Sequence, residues 1–343
     1  MTFSINEKIA IRGIASIVPS KKITNSQIGG IKDREYVESL SLKVGVTERR
    51  VVGNDQYSSD LAIAAGKKLL EELSWEASSV DLLIVATQTP DNLFPAVSFK
   101  VHRDLGLSKH CVVFDINLGC SAFTHGIWIT STLLASCGSR AILITVDTMS
   151  KTLGSLDIGN QVLFGDAGSA TGLELDHSAE NIYAVTMSDG KGIGSVCLPN
   201  SGITASPDKT SDFHINGPAV LGLALRAVPK LISELLLKSE MKIEDIGMFV
   251  PHQANLFILD LLAQNLGISR DRTVISMDHF GNTSSSSIPL ALVQSQSVAQ
   301  SLDSQKTLLV GFGTGFSISC LIADLSKVQY FGVFDLEEIN NSH

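Results

Sequence analysis

Three side chains in this sequence are of types and at positions that could do covalent chemistry: Cys120, His252 and Asn282. The run Val112-Val113-Phe114-Asp115-Ile116 leads to Gly119-Cys120. Small residues then open an apolar series at helical spacing, Phe123, Ile127, Trp128, Leu133 and Leu134, which predicts buried strand, sharp turn and buried helix. The turn sets the Cys120 sulfur at or near a helix N-terminus, where unpaired N–H groups and the helix dipole favour a thiolate. A lone cysteine also reads as a small core residue. His252 lies in Val250-Pro251-His252-Gln253-Ala254-Asn255, between a buried strand and the helix predicted over Leu256 to Leu266. Asn282 lies in His279-Phe280-Gly281-Asn282-Thr283-Ser284. Taken singly, the histidine reads as a satisfied structural residue and the asparagine as a turn residue. Together the three supply a nucleophile and two neutral hydrogen-bond donors, the set needed to form a thioester and hold an enolate. Asn282 cannot ionise, so it suits oxyanion stabilisation better than proton transfer. A papain-like Cys/His/Asn hydrolase uses the same residue types, but there the asparagine orients the histidine.

An internal repeat supplies the frame that would bring the three together. Asp81-Leu82-Leu83-Ile84-Val85 leads through Leu105-Gly106-Leu107 to Gly119-Cys120 and then Ala141-Ile142-Leu143-Ile144-Thr145. Asp245-Ile246-Gly247-Met248-Phe249-Val250 leads through Leu266-Gly267-Ile268 to Gly281-Asn282 and then Thr307-Leu308-Leu309-Val310-Gly311. Four landmarks at similar spacing predict a duplicated α/β unit, divided as 1–175 and 176–343, with the two glycine turns facing across a pseudo-twofold axis. That symmetry also sets His252 roughly opposite Gln88. Along the chain, strands are predicted over Lys8 to Val18, Asp81 to Thr87 and Arg140 to Thr145, and a helix capped by Ser58 or Ser59 runs to Leu73. Lys32 to Asp55 reads as charged and irregular, Leu163 to Ala170 as a turn, and Gly190 to Ser211 as a long loop between halves and the best boundary candidate in the chain's composition. Gly217 to Leu237 reads as an amphipathic helix with a kink or late start at Pro229.

Composition limits the function classes. The chain has 343 residues, 44% hydrophobic and 18% charged, which suffices for a large core. Twenty-eight glycines against nine prolines suit tight strand-to-helix turns. The positive mean hydropathy suggests a surface buried between subunits, with a homodimer as the default. A net charge of −9 argues against nucleic acid as a partner. Five scattered cysteines, none in a CxxC pair, imply neither a disulfide framework nor a metal site. No apolar run reaches membrane-spanning length and Met1 to Ala10 is polar, so the sequence reads as soluble, cytoplasmic and free of membrane contact.

Several stretches carry a resemblance beyond the three residues: Val46-Thr47-Glu48-Arg49-Arg50, the cysteine turn, Phe164-Gly165-Asp166, Ser188-Asp189-Gly190, Val250 to Leu256, Gly281-Asn282-Thr283-Ser284, Ile288-Pro289-Leu290 and Gly311-Phe312-Gly313-Thr314-Gly315. Through them nearly the whole chain resembles β-ketoacyl-acyl-carrier-protein synthase III, a condensing enzyme of the thiolase fold. The resemblance implies duplicated αβαβα-type halves and makes Cys120 the acyl-accepting nucleophile, with His252 and Asn282 driving malonyl decarboxylation. It places the loop of Gly313, Thr314 and Gly315 over the oxyanion and Phe94 across the dimer interface in the partner's acyl pocket. It implies acyl and malonyl thioesters as substrates, carried by coenzyme A or an acyl carrier protein, with no separate cofactor and no metal.

Departures from the family pattern fall on the route to the site. The family's tryptophan near Ser39 is absent, with Tyr36 the nearest aromatic, and Lys151 stands where arginine is common beside the nucleotide. Gly222 and Phe257 occupy positions where many members carry basic carrier-docking residues, Arg226 and Lys230 offer a displaced patch, and Arg49 is a further candidate for substrate or carrier contact. Thr314 replaces a common glycine. Two other functions remain open at this point: a synthase III-like acyltransferase that passes the acyl group to an alcohol or amine, and a catalytically silent dimer partner.

Overall fold

Apolar residues that run without alternation mark strands covered on both faces, and these build the molecule. The computed structural model describes residues 2–154, 157–206, 208, 213–295 and 306–337. In chain order the first half holds β1 (Thr2–Asn6), β2 (Ile9–Val18), β3 (Lys22–Thr24), α1 (Arg34–Val44), β4 (Glu48–Arg50), α2 (Ser58–Glu72), β5 (Leu82–Ala86), α3 (Val97–Leu105), β6 (Val112–Ile116), α4 (Ala122–Cys137), β7 (Arg140–Asp147), α5 (Ile158–Leu163) and β8 (Ala167–Leu175). The second holds β9 (Ile182–Ser188), β10 (Val196–Cys197), β11 (His214–Ile215), α6 (Gly217–Lys238), β12 (Met248–Pro251), α7 (Leu256–Leu266), α8 (Ser287–Gln294), β13 (Lys306–Gly313), β14 (Ser317–Asp324) and β15 (Tyr330–Asp335).

Two main sheets repeat one topology. One runs β15-β2-β8-β7-β5-β6 and the other β1-β9-β14-β13-β12. In the first, β5 is parallel to β7, β7 antiparallel to β8, and β8 antiparallel to β2. In the second, β12 is parallel to β13, β13 antiparallel to β14, and β14 antiparallel to β9. The counterpart of β6 in the second sheet shrinks to one parallel bridge, Phe249 to Thr273. Each terminal strand crosses over: β1 pairs with β9, and β15 with β2.

Helices α4 and α8 lie between the sheets, and Phe123, Ile127, Ile288 and Leu292 join Ile84, Leu143, Leu309 and Leu321 in one buried core. Helices α2 and α3 cover the outer face of the first sheet, and α6 and α7 that of the second. The layers therefore alternate helix, sheet, helix, sheet, helix. Only short connections separate β6 from α4, and Asn282 from α8, so the starts of both central helices reach the centre.

Four sequence expectations are corrected. Lys32 to Asp55 is not irregular, because Val37 and Val44 seat α1 and β4 pairs with β3. The turn read from Leu163 to Ala170 ends at Asp166; Ala167 to Leu175 is a central strand whose small residues let helices press close, with a Cβ at Gly168 falling 2.9 Å from the Leu61 side chain. Helix α6 starts at Gly217 and runs through Pro229, so no late start occurs. The loop from Gly190 follows β9 of the second sheet and so lies within the second half, not between the halves; its far end at 207 and 209–211 lies outside the described residues.

Candidate active site

The ends of β5, β6, β12 and β13, with the N-termini of α4 and α8, border a cavity of about 1350 Å³. Cys120, His252 and Asn282 all line it, with Gln88, Ser284, Phe312 and the Gly313 to Gly315 loop. Residues distant in sequence are thus brought together as the repeat requires.

Cys120 stands two residues ahead of the first residue of α4, and Ala122 N–H donates to Gly119 C=O at 2.7 Å to close the turn. Strand β13 presses against this turn, where a Cβ at Gly313 would fall 2.6 Å from the Cys120 Cβ and 3.4 Å from its sulfur. Only glycine permits that approach. The loop beyond is clamped by paired backbone hydrogen bonds between Asp189 and Phe316, each 2.8 Å, and by the 2.6 Å contact of the Ser121 and Ser317 hydroxyls.

The thiolate expected of Cys120 is not what its surroundings favour at rest. Burial, and then the charge of Asp147, push the thiol up to about 12, against weaker downward pulls from the Ser284 hydroxyl, 4.0 Å away, and the Cys120 backbone. The sequence shows the helix terminus but not the burial around it, which favours the protonated sulfur.

His252 follows β12 directly, and its N–H donates to Val310 C=O at 2.7 Å. The ring meets Phe312 edge-on at 5.4 Å, and Nδ1 lies 2.6 Å from the Ser287 hydroxyl, which leaves Nε2 as the nitrogen free for the cavity. Burial lowers its pKa to about 3, so the imidazole is neutral. Asn282 is held by its backbone: its N–H donates to Leu163 C=O at 2.8 Å and its C=O accepts from Gly165 N–H at 3.2 Å. Gly281 makes this possible with φ +67° and 2.4 Å from its would-be Cβ to Leu163 C=O. Ser284 N–H donates to Asn282 Oδ1 at 2.9 Å, and Asn282 Nδ2 donates to Ala254 C=O at 3.4 Å. With the oxygen engaged, the amide keeps an N–H for the cavity.

Asp147 links the parts beneath. Its buried carboxylate accepts from Gln88 N–H at 2.8 Å and Ser285 N–H at 3.1 Å, tying the β5 loop to the asparagine turn.

Comparison with known proteins places this arrangement. Two family profiles match, "3-Oxoacyl-[acyl-carrier-protein (ACP)] synthase III" over residues 114–190 and its C-terminal counterpart over 236–325. A β-ketoacyl-[acyl-carrier-protein] synthase III of Clostridium perfringens is 34% identical over 322 residues, spanning 91% of this chain and 97% of its own. The chain belongs to the β-ketoacyl-[acyl-carrier-protein] synthase III family. The synthase III 2 of Bacillus anthracis is 32% identical over 326 residues, 93% of this chain and 99% of that protein. The crystal structure of a 3-oxoacyl-(acyl-carrier protein) synthase from Burkholderia xenovorans superposes with a TM-score of 0.93 at 30% identity, covering 97% of this chain and 99% of that one. The priming β-ketosynthase of the R1128 polyketide pathway superposes at 0.80 and 25% identity, covering 93% and 98%. The fold is therefore the thiolase-like fold of the synthase III enzymes, and the chain is a condensing enzyme.

The remaining residues singled out in the sequence fall in different places. Lys151 lines the synthase III cavity, but its ammonium donates to Gly53 C=O at 3.1 Å and Asn54 C=O at 2.7 Å and sits 4.7 Å above the Tyr57 ring. Phe257 lines the rim and is 53% exposed. Arg226 is exposed on α6 with its guanidinium over Gly222, 3.2 Å from where a Cβ would stand. Phe94 is 80% exposed and does not line this cavity, whereas neighbouring Leu93 does. Tyr36 is exposed on α1 and does not line the cavity. Arg49 requires correction: it is buried, and its Nε donates to Asn25 Oδ1 at 3.2 Å, so it supports the β3–β4 ribbon and offers no surface contact.

Sequence reading missed Gln88 as a site residue except as a symmetry mate, and missed Ser284, Ser287 and Asp147 altogether. Thr314 Oγ1 donates to Gln88 Oε1 at 3.2 Å beside the cysteine turn. Asp147 carried a usable signal, an acid ending the apolar strand Ala141 to Val146. The four consecutive serines 284 to 287 are all buried.

Proposed function

We propose that this chain catalyses the decarboxylative condensation of an acyl thioester with a malonyl thioester to give a 3-oxoacyl thioester, through an acyl group held on Cys120. The observation that carries the reading is the shared cavity of Cys120, His252 and Asn282, in which hydrogen bonds within the protein engage His252 Nδ1 and Asn282 Oδ1. In the first half-reaction the Cys120 sulfur attacks the thioester carbonyl. The C–S bond of the donor breaks, and the proton of the Cys120 thiol ends on the departing thiol, so the exchange requires no resting thiolate. The tetrahedral oxyanion is met by the Cys120 N–H and an N–H of the Gly313 to Gly315 loop.

In the second half-reaction a malonyl thioester loses carbon dioxide, and the electron pair left behind forms an enolate whose oxygen accepts from His252 Nε2–H and Asn282 Nδ2–H. The enolate carbon attacks the acyl carbonyl, the bond to Cys120 breaks, and the expelled sulfur takes up one proton. Neutral donors suit this step. An imidazolium would hand its proton to the enolate and quench the carbon nucleophile.

The acyl and malonyl groups arrive on an acyl carrier protein or coenzyme A. Arg226 over Gly222 and the apolar rim at Phe257 form the docking face on this reading, and the Tyr57–Lys151 pair takes the place of the missing tryptophan. A homodimer completes the pocket. Edge strand β6, with Val112, Phe99 and Phe94 exposed at 48%, 56% and 80%, leaves apolar surface and unpaired backbone that a second copy would cover. Among the described residues no helix is long and apolar enough to cross a membrane.

Mass spectrometry after incubation with a panel of acyl thioesters tests the covalent step. One acyl adduct on Cys120, lost on adding a malonyl thioester with appearance of a 3-oxoacyl product, is expected. An adduct that persists in Cys120→Ala would refute it.

A further inference from the structure

We propose that Ser287 is a positioning residue that fixes His252 in the tautomer with its proton on Nε2, the form able to donate to the enolate. The inference deepens the role given to His252 above and rests on that reading for its catalytic consequence, though not for the tautomer itself.

The assignment follows from counting protons and lone pairs. Ser287 opens α8 and is 2% exposed, so its hydroxyl cannot turn to solvent. Its Oγ accepts from the backbone N–H of Gln253 at 3.4 Å and lies 2.6 Å from His252 Nδ1; among the described residues it makes no other hydrogen bond. A serine hydroxyl has one proton and two acceptor sites. One acceptor site goes to Gln253, and the only acceptor in reach of the proton is Nδ1. If Nδ1 carried hydrogen, both acceptor sites would be filled and the hydroxyl proton would be stranded in the core, at roughly 1–3 kcal/mol. Ser287 therefore donates, Nδ1 accepts, and Nε2 carries the hydrogen toward the cavity.

The surroundings make this assignment durable. The Gln253 side chain is pinned, donating to Pro251 C=O at 2.7 Å and accepting from Ser276 N–H at 3.0 Å, so the backbone donor that occupies Ser287 is itself fixed. Phe312 holds the ring plane edge-on. Burial keeps the imidazole from acquiring a second proton, which would erase the distinction between the nitrogens. The neighbouring serines have other duties: the Ser286 hydroxyl donates to Thr145 C=O at 2.7 Å, and Ser285 N–H serves Asp147. Of the buried serine run, Ser287 alone meets His252.

The test uses the full chain labelled with ¹⁵N-histidine, with the His252 ring resonances assigned by their loss in His252→Gln. Long-range ¹H–¹⁵N spectra of the native protein should show an unprotonated Nδ1 and a protonated Nε2. In Ser287→Ala the share of Nδ1–H should rise, carbon dioxide release from a malonyl thioester should fall roughly tenfold or more, and Cys120 acylation should stay within about threefold. Ser287→Thr, which keeps the hydroxyl, should restore both the spectrum and the release. A native ring protonated on Nδ1 would overturn the proposal. So would a Ser287→Ala protein whose ring spectrum is unchanged, whether its activities are unaltered or fall together. Should the native protein release no carbon dioxide, the condensation reading fails, while the spectra still decide for or against the tautomer.

Discussion

Replacing Gly313 by alanine perturbs the contact on which the covalent step depends. The added Cβ would lie 2.6 Å from the Cys120 Cβ and 3.4 Å from its sulfur. Restoring ordinary contact requires a separation of about 1 Å, and neither side yields freely. Gly313 is paired with Ser317 across β13 and β14, and behind the cysteine turn a Cβ at Gly119 would already meet Gln88 Oε1 at 2.4 Å. The loop must therefore lift from the sulfur by a distance comparable with the tolerance of an oxyanion hydrogen bond. A 1 Å misplacement, or one lost oxyanion donor, costs about a hundredfold, or ~2.7 kcal/mol in the barrier. Single-turnover acylation of Cys120, followed by intact-protein mass spectrometry, should slow by about that factor in Gly313→Ala. The same overpacking should lower stability by ~1–3 kcal/mol. Gly159→Ala, where the nearest atom to a Cβ is 3.8 Å away, serves as the control and should acylate like the native protein. Acylation within threefold of native in Gly313→Ala, with the fold intact, would show that the close packing of β13 on the cysteine turn has no part in catalysis.

Two further outcomes are expected. Because burial and Asp147 raise the Cys120 thiol to about 12, its alkylation by iodoacetamide should quicken about tenfold per pH unit from pH 7 through 9; a plateau below pH 8, read by peptide mass spectrometry, would mean that the α4 N-terminus outweighs burial. Arg226→Ala should reduce kcat/KM for a carrier-borne malonyl group about two- to fivefold and flatten its salt dependence, as for one rim charge, while coenzyme A-borne substrate is little affected; an unchanged carrier response would remove Arg226 from the docking face.

What the sequence made legible follows from which interactions are local or repeated. The duplication was readable because β5 and β12 must each be apolar on both faces and each must feed a glycine turn, and that requirement leaves the same four landmarks twice. The convergence of Cys120, His252 and Asn282 on one cavity was legible for the same reason: they sit at matching ends of repeated elements. Helix α1 escaped because its contribution to the core is Val37 and Val44, too sparse a pattern against its charged surface. Strand β8 escaped because close helix packing selects Ala, Gly and Ser, which resemble a turn. The effect of burial on Cys120 was not legible because a helix terminus is a local feature, whereas the packing of β13 and the asparagine loop around the turn is not. Arg49 looked like a surface cation in a charged stretch, and only the tertiary structure brings Asn25 to its guanidinium. Ser287 was invisible for a similar reason, since its partner lies 35 residues away on another element.

Release of labelled carbon dioxide from a malonyl thioester bears most directly on the role of the two donors. Neither His252 nor Asn282 is required for thiol exchange at Cys120 to begin, whereas both hold the enolate. Native protein should release the label, and Asn282→Ala and His252→Ala should each fall by roughly a hundredfold or more while Asn282→Ala keeps much of its Cys120 acylation. Native protein that acylates Cys120 yet releases no carbon dioxide from any malonyl donor, or an Asn282→Ala protein that releases it at the native rate, would contradict the assignment of these residues to decarboxylative condensation.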